Sequence, residues 1–310
     1  MTKAIQIRLG GYGPPTTGFS LSLKRIGDRV KAAFGDDVDV KYVWNIMDLG
    51  FRGEEILWLV ESGMLTLGYQ SSSYLTDRVP ELGILDLPFI FSDREAIRQA
   101  MDGRLGETLT RKIEESANYR IFGYFENGFR HLSNRLRPIR TPADMKGMSI
   151  RVLPSHVHQR TFELLGANAQ QMDLSEALQR IADGTIDAQE NPLANTVTYG
   201  AHKFHRFHTL TSHFYISRPI FLHRPTVESW PIELQRFMED AVREAVTWQR
   251  ELALSEERDA EQAIRDAGCE IAVLNDQERL AFVDAVKPLL AEADAVYGPD
   301  LIKLLPGRSG

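Results

Sequence analysis

The sequence predicts an α/β protein with two lobes and a ligand cleft between them. Strands with alternating apolar residues are separated by amphipathic helices, the same order of elements occurs twice, and a polar cluster follows a strand in both repeats. The chain has 310 residues, which is more than one small hydrophobic core usually organises, and this length favours two lobes.

The first repeat runs strand, helix, strand, helix, strand. The apolar periodicities predict, in chain order, the strand Ile5–Leu9, the helix Phe19–Ala33, the strand Val38–Trp44, the helix Glu54–Glu61 and the strand Leu65–Tyr69. Gly63 follows the second helix at a position where a helix commonly ends in the left-handed conformation.

The second repeat begins near Ser149 and has a corresponding ending. Its predicted elements are the strand Ser149–Val152, a helix from Ser155 to Leu165, a short link, a helix over Leu174–Ile181 and the strand Thr185–Ala188. The segments VESGMLTLGYQSSSY and IADGTIDAQENPLAN both run helix, glycine, strand, polar cluster. Counting seven residues beyond each glycine gives Gln70 and Asn191. We interpret this correspondence as a structural repeat.

Mainly parallel sheets bind ligands beyond the carboxyl ends of their strands. We therefore expect the polar residues that follow the two strands, Gln70–Tyr74 and Gln189–Asn195, to line opposite walls of the cleft.

The remaining elements connect and complete the lobes. Phe214–Leu222 is predicted to be a strand that returns between lobes, and a helical pattern from Pro231 to Asp266 is long enough to brace both, although a break near Leu254–Ser255 fits equally well. A strand at Glu270–Leu274 and a helix from Asp276 to Ala293 follow. The predicted first lobe comprises residues 1–127 and 217–256, and the second comprises 128–216 and 257–310, with hinges near 126–129 and 214–217.

Composition excludes several classes of function. Lys and Arg number 36 against 43 Asp and Glu, and a formal charge of −7 is unfavourable for binding nucleic acid or anionic membranes. The apolar run LGILDLPFIF is too short to span a membrane. The single Cys269 excludes an intramolecular disulfide, and we interpret it as a packed apolar side chain. Without a visible secretory signal, the protein is either cytoplasmic or has lost a cleaved leader.

Two arginines are candidate ligand contacts. Arg151 lies between Ile150 and Val152 in a predicted strand, where an unpaired charge is costly to bury. Its planar fork suits either a ligand carboxylate or a structural Asp or Glu on a neighbouring strand, and the sequence leaves both open. Arg130, in ENGFRHLSN, is a weaker candidate with a greater chance of lying at the surface.

At this point the sequence resembles a known family. The segments GFRHLSNRLRPIRTPADMKGMSIRVLPSHVH, LGANAQQMDLSEAL and DGTIDAQENPLAN occur in the order found in the solute-binding proteins of tripartite ATP-independent periplasmic (TRAP) transporters, the DctP-like family. VPELGILDLPFIF and the long helix extend the resemblance over most of the chain, and ADMKGMSIRV and DAQENP are its most specific segments.

The resemblance implies the periplasmic-binding-protein fold, with a hinge and an interlobe ligand cleft, and a function in transport without catalysis or cofactor. It implies that Arg151 holds a ligand carboxylate through two hydrogen bonds, that Asn191 hydrogen-bonds the ligand and that Arg130 assists. Leu174 stands where the family commonly has an aromatic residue, which removes a stacking surface for large sugar acids. The implied partners are a small carboxylate and the small and large membrane subunits, with no nucleic acid and no membrane insertion. The implied location is the periplasm, with the signal peptide absent from this sequence.

The wall of the predicted cleft that comes from the amino-terminal part of the chain differs from that of better-known members of the family. Its aromatic and hydroxyl residues predict a small monocarboxylate with an aromatic or hydroxylated tail. The candidate contacts there are Thr17, Trp44, Asn45, Tyr69, Ser71 and Ser72.

Other chemistries are less well supported by the sequence. An enzyme that uses the same cleft would need Glu190 as a general base, but no second acid or base, nucleophile or cofactor motif accompanies it; alternatively, Glu190 orients Arg151. Histidines recur at His202, His205 and His208, but they lack a recognisable metal-ligand pattern, and we expect them to be solvated or at the edge of the cleft. GGYGPP lacks the lysine of a phosphate loop, and no serine stands in a nucleophile elbow.

Overall fold

The computed structural model describes residues 4–306. The strands in this part of the chain are β1 Ile5–Gly10, β2 Val38–Val43, β3 Leu67–Tyr69, β4 Tyr119–Asn134, β5 Ser149–Val152, β6 Asn168–Gln171, β7 Ala188–Asn191, β8 Phe207–His223 and β9 Glu270–Val273. The α-helices are α1 Gly18–Phe34, α2 Ile56–Glu61, α3 Arg94–Asp102, α4 Arg104–Ser116, α5 His156–Leu164, α6 Leu174–Ala182, α7 Leu193–Thr198, α8 Arg224–Glu228, α9 Ile232–Asp266, α10 Asp276–Tyr297 and α11 Pro299–Ile302. The fold is therefore α/β, as predicted.

The chain divides into two compact units. The first unit contains the described residues as far as Ser71, together with Thr110–Glu126 and Ser217–Ser255. The second contains Ser72–Leu109, Asn127–Ile216 and the described residues from Glu256 onward. Positions 1–3 and 307–310 of the predicted lobes lie outside the described residues.

Residues 72–109 differ from the predicted lobes, which placed them in the first lobe. They lie in the second unit, and a side-chain bond connects them to another segment of that unit. The Ser73 hydroxyl donates to Asp86 at 2.7 Å, and the Tyr74 hydroxyl accepts from Arg151 at 3.0 Å. Side-chain partners that lie far along the chain are not readable from periodicity.

In the first unit, the strand order is β2, β1, β3, β8. β1 is parallel to β2 and to β3, whereas β3 is antiparallel to β8, with Tyr69 opposite Ile220. The apolar stripe predicted for α1 is buried, since Leu23, Ile26 and Val30 are all fully enclosed. This burial fixes which face of α1 packs on the sheet.

The second unit has the corresponding order, β6, β5, β7, β4. β5 is parallel to β6 and to β7, and β7 is antiparallel to β4. In each unit the first strand of the repeat is central, and Gly63 and Gly184 both have positive φ, of 76° and 68°. The shared order confirms the predicted structural repeat.

Two details of the second repeat were wrong. The link after α5 contains β6, whose side chains are half-buried or exposed, so it carries no apolar signal. The strand predicted at Thr185–Ala188 instead begins at Ala188 and includes the polar residues Gln189, Glu190 and Asn191. These side chains are buried because β7 lies between β4 and β5. The polar cluster is therefore part of the strand and does not follow it.

The two units are joined by elements that continue from one into the other. The unit assignment changes after Glu126 in β4 and after Ile216 in β8, and it also changes after Ser71, after Leu109 in α4 and after Ser255 in α9. The first two positions fall within the segments predicted as hinges. α9 is continuous through Leu254–Ser255, so the break that the sequence allowed does not form. Closure about these segments stays a prediction.

Candidate functional site

Arg151 lies in β5 and is only 1% exposed. Its Nε donates a hydrogen bond to the carbonyl oxygen of Met172 at 3.1 Å, and its Nη2 donates to the Tyr74 hydroxyl at 3.0 Å. Both acceptors are neutral, so they orient the guanidinium without neutralising its charge. Nη1 donates to none of the residues described.

The structural alternative for Arg151 was a salt bridge to a carboxylate on a neighbouring strand. Its register neighbours are Gln170 in β6 and Gln189 in β7, which are both uncharged. Within residues 4–306, no carboxylate lies within 4.0 Å of the guanidinium. A buried, oriented and unneutralised guanidinium is suited to a bidentate carboxylate from outside the chain.

Arg130, in contrast, has a carboxylate partner within the protein. It is buried, which corrects the expectation that it had a greater chance of lying at the surface. Its Nη2 donates to Glu190 Oε1 at 2.8 Å and to the Glu190 carbonyl oxygen at 2.6 Å, and its Nε bonds Oε2 of the same side chain. The partner of Glu190 is therefore Arg130, and the expectation that Glu190 orients Arg151 is wrong.

Strand geometry explains this pairing. Successive side chains of a strand point to opposite faces, so Glu190 lies on the other face of β7 from Gln189. Gln189 is the register partner of Arg151, whereas Glu190 faces Leu132 in β4, two residues beyond Arg130. Glu190 therefore reaches the arginine of β4 and not that of β5.

Two histidines surround the Glu190 carboxylate. His158 lies with Nε2 at 3.3 Å from Asp86 and Nδ1 at 3.7 Å from Glu190, and His213 Nε2 lies at 3.5 Å from Glu190. Burial alone would raise the pKa of Glu190, but Arg130 and the two histidines hold that pKa well below its usual value. Burial alone would lower the pKa of His158, but Asp86 and Glu190 raise it. In His213, burial prevails and lowers the pKa to about 4.

A cluster of amide side chains lies on the Arg151 face of β7. Asn191 Nδ2 donates to Gln189 Oε1 at 3.1 Å, and Asn195 Nδ2 lies 3.2 Å from Asn127 Oδ1 and 3.4 Å from Asn191 Oδ1. Asn195 projects from α7, which begins directly after β7 and Pro192. The cluster gives donors and acceptors on the face where Arg151 lacks a counter-ion.

Ser72, Tyr74 and Leu174 also belong to the second unit. Ser72 Oγ is buried without a hydrogen-bond partner among the described residues, and Leu174 is a buried residue at the start of α6. Tyr74 was included in a predicted cleft wall but was not selected as a contact; its hydrogen bond to Arg151 makes it part of the candidate site. Tyr74 could have been identified only by knowing that its segment lies beside Arg151, which is distant in the chain.

The other predicted contacts belong to the first unit and have local partners. Thr17 caps α1 by accepting from Ser20 N at 3.2 Å. Trp44 stacks on Tyr42 with ring centroids 4.5 Å apart. The remaining three contacts are Asn45, which donates to Asp48 at 2.8 Å, the buried Tyr69 and the buried Ser71.

Sequence reasoning missed a further buried arginine, Arg218 in β8 of the first unit. It is 3% exposed and lies over three aromatic rings, the nearest being Phe19 with its centroid at 4.2 Å. The signal was available, because Arg218 stands in the apolar segment FYISRPIF in the same way that Arg151 stands in SIRV.

Other chemistries find no support in the described residues. No three His, Cys, Asp or Glu side chains there are placed to hold a metal ion. His205 and His208 are buried, which corrects the expectation of solvated histidines, and burial lowers their pKa values to about 3 and about 4. Glu190 is fully buried and paired with Arg130, so it is not placed to act as a general base. Across residues 4–306, no helix is both long and apolar enough to cross a membrane.

A repeated α/β unit and a buried arginine without a counter-ion among residues 4–306 are features that a solute-binding protein would have. The model of the family "Bacterial extracellular solute-binding protein, family 7", DctP, matches residues 48–295. The chain belongs to this family. Its members are substrate-binding components of transport systems and not enzymes, and this chain is a solute-binding protein of the TRAP type.

Individual relatives agree with this assignment. The chain is 30% identical over 305 residues to the 2,3-diketo-L-gulonate-binding periplasmic protein YiaO of Escherichia coli, covering 97% of this chain and 91% of the relative. It is 25% identical over 236 residues to the C4-dicarboxylate-binding protein DctB of Bacillus subtilis, covering 76% and 67%.

Solved structures show the same fold. A TRAP periplasmic solute-binding protein from Sulfurospirillum deleyianum with bound succinate matches with a TM-score of 0.92 at 26% identity, covering 99% of each chain. The sugar acid binding protein DctPAm from Advenella mimigardefordensis, in complex with galactonate, matches with a TM-score of 0.93 at 23% identity, covering 99% of this chain and 98% of the other. The chain therefore has the fold of the two-lobed TRAP solute-binding proteins.

Proposed function

We propose that this protein captures a small organic acid by holding its carboxylate on Arg151. It would deliver the acid to the small and large integral membrane subunits of a TRAP transporter, and it would act in the periplasm. The observation that carries this proposal is that Arg151 is buried and oriented, yet has no carboxylate within 4.0 Å among the described residues.

Each neighbour of Arg151 has a role in this proposal. Met172 and Tyr74 fix the plane of the guanidinium, so that the remaining N–H groups form a fork. Asn191 donates to a ligand oxygen from the amide cluster on β7. Arg130 and Glu190 neutralise each other, and Glu190 lies on the other face of β7 from Gln189, the register partner of Arg151.

The family relationship supports the chemical class of the ligand. Relatives are named for binding C4-dicarboxylates or a keto sugar acid, and similar structures hold succinate or galactonate. The shared group in the solved complexes is a carboxylate, which matches the bidentate hydrogen-bonding geometry of an arginine. The identity of the rest of the ligand follows from residues other than Arg151.

Calorimetric titration of the refolded protein with a panel of small carboxylic acids tests this proposal, because refolding from denaturant removes any acid carried through purification. A ligand at about 100 times its dissociation constant should also stabilise the folded state by about 2.7 kcal/mol, which thermal melting detects. Arg151→Ala should weaken binding of every acid that the wild type binds by roughly 2–5 kcal/mol.

Two further variants make the test specific. Arg151→Lys keeps the charge but loses the fork, and should also bind weakly. Arg206→Ala, which removes a surface arginine of the same unit that is 68% exposed, should bind as the wild type does. Wild-type affinity in Arg151→Ala would exclude Arg151 as the anchor.

A further inference from the structure

Arg218 is a second buried arginine without a counter-ion. It lies in β8 within the first unit and is 3% exposed. Its Nε is buried and has no hydrogen-bond partner among residues 4–306, and no carboxylate in this range lies within 4.0 Å of its guanidinium. Arg130, which is comparably buried, has Glu190 as its partner. Arg218 therefore differs from Arg130, whose charge is neutralised within the protein.

The surroundings of Arg218 stabilise a cation but do not neutralise it. The guanidinium carbon lies 4.2 Å from the ring centroid of Phe19, 5.3 Å from that of Tyr12 and 5.7 Å from that of Tyr69. Phe19 and Tyr69 are themselves stacked at 5.1 Å. Aromatic faces attract a cation, but this attraction is much weaker than the cost of burying an unpaired charge.

The Tyr12 ring is held in place by a hydrogen bond that does not involve the guanidinium. The Tyr12 hydroxyl donates to Gln70 Oε1 at 2.8 Å, and the same oxygen accepts from the Ser71 amide at 2.8 Å. Gln70 Nε2 in turn donates to the carbonyl oxygen of Gly53 at 2.9 Å. The only acceptor of this side chain is thus directed at Tyr12 and Ser71.

We propose that Arg218, with the rings of Phe19, Tyr12 and Tyr69, is an anion-binding site that accepts a carboxylate group. The rings exclude water, so the guanidinium is poorly hydrated and forms strong charge-assisted hydrogen bonds to an entering oxyanion. This proposal rests on the proposed function, because the occupant is taken to be an acidic group of the transported solute.

Calorimetry with two matched acids tests the site. Succinate and butyrate have the same number of carbon atoms but differ in the number of carboxylates. Arg218→Gln should raise the dissociation constant of succinate at least about tenfold, while the constant for butyrate changes less than about twofold. Arg218→Met keeps much of the apolar volume and should have the same effect. Arg25→Gln, a surface arginine in the same unit that is 41% exposed, is the control and should change neither constant.

The stoichiometry identifies the source of the anion. One succinate per chain, with a loss confined to succinate, means that both carboxylates belong to one ligand. Two butyrates per chain, reduced to one by Arg218→Gln, mean that Arg218 binds a separate anion. The first outcome supports the proposal, whereas the second would overturn the assignment of the Arg218 occupant to the transported solute.

Two other results would overturn the proposal. One is wild-type binding of both acids by Arg218→Gln and Arg218→Met. The other is an equal loss for both acids together with a lower melting temperature of the ligand-free protein, which would assign Arg218 to the fold. The variant Arg151→Ala, measured in parallel, separates the two proposals. If it binds neither acid, Arg151 is supported as the anchor. If it binds both acids as the wild type does, the proposed function fails, but the result for Arg218 still holds.

Discussion

The hydroxyl of Tyr74 accepts a hydrogen bond from Nη2 of Arg151 at 3.0 Å. The two residues are 77 positions apart in the chain, and Tyr74 belongs to a short 3-10 helix, Ser72–Leu75. The contact orients the guanidinium without neutralising it. Tyr74 is thus expected to act on the ligand through Arg151.

Tyr74→Phe should weaken carboxylate binding by about 0.5–1.5 kcal/mol, because the guanidinium loses one of the two bonds that fix its plane. The melting temperature of the ligand-free protein should change little. Titration calorimetry measures the effect, and Tyr42→Phe, which removes a hydroxyl bonded to Lys24 and Asp28 in the other unit, is the matched control. Equal affinities for the two variants would exclude a positioning role for Tyr74.

Glu190→Gln should destabilise the fold by about 3–5 kcal/mol, because it leaves the buried Arg130 without a counter-ion. Equilibrium unfolding in urea measures this loss. Glu244→Gln breaks pairs with Arg25 and Arg29 at the surface, where Glu244 is 40% exposed, and should change stability by less than about 1 kcal/mol. If both variants lost the same amount, burial would not be what makes the Arg130 pair important.

The buried histidines should make stability fall as the pH decreases. Burial lowers the pKa of His205 to about 3, whereas an unfolded histidine titrates near 6.5. Between about pH 6.5 and 3 the unfolded chain therefore binds a proton that the folded chain does not, and each such histidine removes up to about 1.4 kcal/mol per pH unit. The lowered pKa of His213, about 4, contributes in the same direction.

His158 has the opposite sign. Its pKa is raised above the unfolded value, so its contribution is complete below about pH 6.5 and is lost as the pH rises through the folded pKa. Below about pH 6.5 the contribution of His158 is constant, and the lowered pKa values of His205 and His213 set the trend. Unfolding free energies measured from pH 4.5 to 7.5 should therefore decrease on the acidic side. His205→Gln should reduce that acidic slope by up to about 1.4 kcal/mol per pH unit. An unaltered slope in His205→Gln would mean that His205 does not contribute to the acid dependence.

Gly128→Ala should destabilise the protein by about 1–2 kcal/mol. Gly128 has a φ of +90° and lies in β4 just after the unit assignment changes. The nearest atom to an added Cβ is 3.9 Å away, so the cost comes from the backbone and not from a clash. Gly128→Asn should cost less, since asparagine tolerates this region better. Urea unfolding of both variants checks the order, and a larger loss for asparagine would contradict it.

The sequence predicted most of the repeated architecture correctly. The strand Ser149–Val152 has the predicted bounds, and the helices α1, α5 and α6 lie within a residue or two of theirs. These elements have strong local signals, since their apolar residues recur with the helical or strand period. β6 was missed because its half-exposed side chains show no such period.

The candidate site was predictable only in part. An arginine in an apolar strand is visible in the sequence, and this pattern identified Arg151. The same pattern at Arg218 was overlooked. Tyr74 could not be connected to Arg151, because no local signal relates two residues so far apart in the chain.

By itself, the sequence determined the order of strands and helices, their repetition and the presence of charged residues in apolar strands, because each depends on residues close together in the chain. Only the tertiary structure decided which arginine is neutralised. That choice depends on the register of β7 between β4 and β5, which turns Glu190 toward Arg130 and Gln189 toward Arg151. A shift of one residue along β7 would exchange the faces of these side chains, so the unpaired state of Arg151 is a property of the assembled sheet.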